Sequence, residues 1–183
     1  MSMFNLFGKK KIKAEELAPT YAFTIYQAIE AGFPEITGYL NEDTDFEEAP
    51  AINPAEDEWF IYIVFAGNLL HLEHHFPQEQ VPDLTRIFAH QFIAMMGKDP
   101  LDESQIIYDY IDYLKKLNQD QQSIAKSMAL GLFRKYDLGK YQQEHFQKQD
   151  IPSPKVMKDL SDMVMYFLWN WEDYLSKYKV TLS

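Results

Sequence analysis

The sequence predicts an all-α fold, an irregular bundle of about six helices that ends in a long C-terminal helix. Apolar residues recur at helical spacing along most of the chain. Prolines and capping residues divide these stripes into helix-sized pieces. At 183 residues, 46% hydrophobic and with no cysteine, the chain can build a core without disulfides or a thiolate metal site. No internal repeat or low-complexity tract interrupts this pattern. Residues 1–13 read as a flexible basic tail and residues 14–183 as a single helical domain, with a division into two lobes conceivable near residue 100.

The elements follow in chain order. Pro19 opens a first helix in which Tyr21, Ala22, Ile25, Ala28 and Ile29 share a face, and Gly32 and Pro34 are expected to end it. An acidic, proline-bearing loop over residues 41–53 leads to Asn53-Pro54-Ala55-Glu56, a capping pattern with Asn at the N-cap and Pro at the first position. The second helix is expected to run from there to Phe76. Its first half, Trp59 to Ala66, is apolar all round, as a central buried helix is. A buried strand competes for the same run, but the preceding cap and the continuation through Leu69, Leu72 and Phe76 favour the helix. A third helix follows Pro82, with Leu84, Ile87, Phe88, Phe92 and Met95 on one face. Pro100 separates it from a fourth that carries Ile106, Ile107, Tyr110, Ile111, Leu114 and Leu117. A fifth holds Ile124, Met128, Leu132, Phe133 and Tyr136, and residues 142–151 read as a polar loop with a helical turn. Ser153-Pro154 caps the long last helix, whose inner stripe runs from Val156 through Leu160, Val164, Phe167 and Trp171 to Tyr178.

Charge narrows the function classes. The formal net charge is -11, and between Lys13 and Arg86 there is no lysine or arginine among fifteen acids. Such a surface argues against nucleic acid, whose phosphates require basic residues to displace their counterions. The longest apolar run, Trp59 to Leu70, is too short for the ~20 residues of a membrane span. No secretory pattern precedes the lysines of the tail. The expected setting is therefore cytoplasmic.

His71-Leu72-Glu73-His74-His75 is the most suggestive local feature. On a helix the three imidazoles occupy one arc, opposite Leu69, Leu72 and Phe76, and the i, i+4 pair His71 and His75 could grip one ion. Gly67, one turn earlier, would admit a close approach by a ligand or another backbone. Zincin spacing fails because Leu72 stands where the general-base Glu belongs, and the inverted form fails at His74. The E-x-x-H motif of di-iron bundles fails at Phe76. Residues 71–77 resemble the third histidine box of membrane fatty-acid desaturases. The other boxes and the membrane spans of that family are absent, and no function is carried over from seven residues. Asp43-Thr44-Asp45 resembles the opening of a calcium loop, but Glu48 replaces its required glycine.

Opposite the inner stripe of the last helix lie Met165 and Trp169, flanked by Tyr166 and by Asp162, Glu172 and Asp173. Exposed aromatics with a polar rim are typical of binding hot spots. The expectation is an acidic helical interaction protein that meets a basic protein partner or a second copy through Met165, Tyr166 and Trp169. No cofactor is expected. The alternative is a metal-dependent helical enzyme or ligand-binding protein built on His71, His74 and His75, completed by His90 or a carboxylate from another helix.

Overall fold

The computed structural model describes residues 9–42, 45–118 and 123–182. In chain order they form strand β1 (Lys10–Lys13), α1 (Ala14–Glu42), α2 (Glu58–His71), a 3-10 turn (Leu72–His74), α3 (Val81–Met95), α4 (Pro100–Glu103) and α5 (Gln105–Asn118). These are followed by α6 (Ile124–Lys135), a second 3-10 turn (Leu138–Tyr141), α7 (Glu144–Gln149), α8 (Pro154–Met165), α9 (Trp171–Lys177) and strand β2 (Tyr178–Thr181). The protein is predominantly α-helical, a bundle with one short strand pair. No helix of the described residues is long and apolar enough to cross a membrane.

Helix α2 runs through the core. Every residue from Phe60 to Leu70 is buried, and the helix touches α1, α3, α5 and α6. That enclosure is why it is apolar all round rather than striped. Trp59, expected at the start of the buried run, is instead 42% exposed and meets Tyr136 edge-on. The helix also begins later than the capping pattern suggests. Asn53 accepts from the backbone N–H of Ala55 and closes a separate turn, while Asn41 bonds both backbone groups of Ile52 and ties the incoming loop to α1. The two anchors place the chain's turn into α2 at Asp57.

Helix α1 continues through Gly32 and Pro34, where the sequence suggested its end. Tertiary burial outweighs the local cost, because Phe33, Ile36 and Leu40 beyond the break are all buried. Pro34 deprives the carbonyl of Glu30 of its helical donor, but Glu30 is exposed and water can serve it. Gly32 has a packing role instead. A Cβ there would lie 2.5 Å from the ring of Phe167.

Two further differences concern the chain ends. The single long C-terminal helix is divided: α8 stops at Met165, the chain turns, and Asn170 caps α9 by accepting from the backbone N–H of Asp173. The lysines assigned to a flexible tail also take on structure. Lys10–Lys13 pair in parallel with Tyr178–Thr181, Ile12 opposite Val180 and Lys11 opposite Lys179. The rest of that tail, residues 1–8, lies outside the described residues, as do Asp43 and Thr44 of the acidic loop.

Candidate functional site

The interruption between α8 and α9 is held by a residue of the central helix α2. Asn68 in α2 is fully buried. Its amide N–H groups donate to the carbonyls of Val64 at 2.9 Å and Phe167 at 2.8 Å, and its carbonyl oxygen accepts from the backbone N–H of Trp169 at 2.8 Å. Helix-breaking backbone groups are thus satisfied by one side chain roughly a hundred positions away. The sequence displayed Asn68 only as a polar residue inside an apolar run. A lone amide in such a run is the signal that could have identified it, since a buried amide requires partners.

Residue Gly67 serves neither a ligand nor another backbone. A Cβ at this position would fall 2.3 Å from the Met128 sulfur, so the glycine makes room for an α6 side chain.

The histidines lie where α2 tightens into a 3-10 turn ahead of Pro77. Leu72 is fully buried, and Phe76 packs edge-on against Trp171 with ring centres 4.9 Å apart. These two anchors hold His71, His74 and His75 against a cleft of about 430 Å3. The cleft is also lined by Met165, Leu168 and Glu172. The histidine face and part of the proposed interface, separate in sequence, therefore share one cavity. His90 does not line it; the nearby carboxylate is Glu172 of α9.

Within the cleft the Nε2 atoms of His71 and His75 are 3.1 Å apart, and the rings are nearly perpendicular. Burial, reinforced by the charges of His75 and His74, pushes the pKa of His71 down to about 4. Burial and His74 also lower that of His75, against the opposing pull of Glu172. The lowered values favour the uncharged rings at neutral pH, and the two Nε2 atoms are within hydrogen-bond distance when one of them carries the proton. His71 Nδ1 is buried without a hydrogen-bond partner among the described residues. His74 stands farther off, its ring centre 6.0 Å from that of His71. Among the described residues no group of three histidine, aspartate or glutamate side chains is arranged to hold a metal ion.

The depressed histidine pKa has a sign that can be measured. His71 binds a proton near pH 6.5 when unfolded but only near pH 4 when folded. Its contribution to stability is complete above pH 6.5 and is lost as the pH falls toward 4. Urea midpoints measured from pH 8 to pH 4 should decline more steeply for the native chain than for His71→Gln. Parallel curves would contradict this.

The three interface candidates diverge. Met165 is 58% exposed and Tyr166 is 87% exposed. Trp169 is half-buried and packs within its own chain, its ring centre 5.2 Å from Tyr21, 5.6 Å from Tyr174 and 6.0 Å from Trp171. Continuous helical geometry would have put it one turn above Met165 on the outer face. The break rotates it inward. Tyr166 instead borders a second groove, of about 380 Å3, with Ala28, Gly32 and Glu35 of α1 and with Met163 and Phe167. No family model, curated protein or solved structure matches this chain.

Proposed function

We propose that the protein is an interaction module whose contact surface is centred on Met165 and Tyr166 and that its partner is a basic protein. The observation that supports this reading is the outward turn after α8. It presents a methionine and a tyrosine to solvent between two grooves, one containing Glu172 and the other Glu35. A small apolar centre with an acidic margin suits a partner that offers an apolar side chain surrounded by lysine or arginine. The lysine- and arginine-free stretch from Ala14 to Thr85 adds a long-range negative field that would speed such an encounter.

Affinity capture followed by reconstitution with the purified partner tests the proposal. Tyr166→Ala should weaken association by ~2 kcal/mol or more and leave the melting temperature unchanged, because the side chain is almost fully exposed. Trp169→Ala should do the reverse, lowering the melting temperature. Association that survives Tyr166→Ala and Met165→Asp would dismiss this surface. Sedimentation equilibrium distinguishes a basic partner from a second copy of the chain.

A metal- or ligand-binding role for the histidine face is the second reading, supported by the 3.1 Å approach of His71 and His75. Elemental analysis of untagged protein decides its rank. One transition metal per chain, lost in His71→Ala/His75→Ala, would place it first.

A further inference from the structure

Strands β1 and β2 form a two-stranded parallel sheet with no further neighbour among the described residues. Among the described residues each strand therefore has one edge whose backbone groups meet no strand partner. The side chains alternate across the pair: Ile12 and Val180 face inward, while Lys11, Lys13 and Lys179 are exposed on the other face. Lys11 lies directly opposite Lys179. Like charges at opposed positions destabilise a strand pair. Ion pairs reach none of Lys10, Lys11, Lys13 and Lys179 among the described residues. In a chain with net charge -11, the lysines of this ribbon thus make no ion pair among the described residues, although Glu15 and Glu16 follow closely in the first turn of α1.

A cavity of about 440 Å3 lies beside the ribbon, lined by Lys9 and Lys179 together with Phe76, Pro77, Leu175 and Val180. It joins these apolar side chains to two lysines and to the polar groups of His75, Gln80 and Tyr178. Exposed lysines on an edge discourage pairing with a second copy of the same lysine-rich strand. The same lysines favour an extended segment whose outward residues are acidic.

We propose that the β1–β2 ribbon is a docking edge for an acidic, extended segment of a partner protein. The segment adds a strand through its backbone, places carboxylates against Lys11, Lys13 and Lys179, and inserts one apolar side chain into the adjoining cavity. Strand addition supplies hydrogen bonds that do not depend on sequence, and the lysines and cavity select the segment. This surface differs from the Met165 and Tyr166 centre in position and in the charge it recognises.

Fluorescence anisotropy with a labelled peptide of alternating glutamate and valine tests the proposal on the full chain. Three comparison probes accompany it: an uncharged serine–valine counterpart, the glutamate peptide with alternate backbone amides N-methylated, and vesicles of anionic lipid. The glutamate peptide should bind, while the serine peptide should bind at least tenfold more weakly. N-methylation should also cost at least tenfold, and hydrogen exchange at residues 10–13 and 178–181 should slow on adding the unmodified peptide. Lys11→Glu should lower affinity at least tenfold while keeping or raising the melting temperature, because it replaces the opposed lysine pair with an opposite-charge pair. Equal binding of the N-methylated peptide would overturn the proposal in favour of charge attraction alone. Failure of the glutamate peptide to bind, with or without binding to the vesicles, would overturn it as well.

Discussion

Trp171→Ala should lower the free energy of unfolding by ~3–5 kcal/mol, the range for removing a large aromatic side chain from a packed core. Trp171 is fully buried. Its ring lies 5.4 Å from Tyr21 and 6.1 Å from Phe88 in stacked arrangements, and meets Phe76 and Tyr174 edge-on. These partners come from α1, α3, the segment after the histidine turn and α9, so one cavity would loosen four parts of the chain. Urea unfolding should show the midpoint displaced with the slope retained. Trp171→Phe should cost clearly less, since it keeps a ring in the site and the indole Nε1 has no hydrogen-bond partner among the described residues. Equal losses in the two variants would contradict a cost that scales with the ring volume removed.

Asn68→Leu is the second large effect, expected at ~2–4 kcal/mol although the side chains are similar in size. The substitution leaves the Phe167 carbonyl and the Trp169 N–H without their partner. Each buried backbone group stripped of its hydrogen bond costs about 1–3 kcal/mol. The damage should be local in hydrogen exchange, with amides of residues 166–170 losing protection before those of α2. Asn68→Asp should be more damaging at pH 7 than at pH 5, because an ionised carboxylate cannot donate to Phe167. Retained stability in Asn68→Leu would mean that the break between α8 and α9 is set by its own residues.

Much of the fold was legible where local and tertiary forces agree. Helices α3, α5 and α6 lie under the apolar stripes drawn for them, with Leu84, Phe88 and Phe92, then Ile107, Ile111 and Leu114, then Met128, Leu132 and Phe133 all buried. Ser153 caps α8 as expected, its hydroxyl accepting from the backbone N–H of Val156 at 3.2 Å. The misreadings occur where a distant residue intervenes. Pro34 looks like a stop until Phe33, Ile36 and Leu40 are seen to be buried beyond it. The stripe through Phe167 and Trp171 looks continuous until Asn68 reaches Phe167 from α2. Strands of four residues, one of them mostly lysine, give no periodic signal of their own. The candidate site was legible only in halves, since His71 and Met165 are far apart in the chain and no local spacing could bring them to one cleft.

The terminal ribbon also bears on the order in which the molecule assembles. Thr181 reaches back to Ile12 across 169 positions of chain. Closing a loop of that length carries an entropy cost of about 4–5 kcal/mol if the intervening chain is disordered. Once the helices between have packed, the two ends are already near one another and most of that cost has been met. The ribbon should therefore close late in folding and open early in unfolding, with little effect on the rate at which the helical core forms. Substitution of Val180 by Ala should therefore leave the folding rate nearly unchanged and express its whole cost as faster unfolding, because the sheet is already open at the barrier. Synthesis gives the same order, since β1 leaves the ribosome before all the helices of the bundle and waits for every one of them before its partner strand exists.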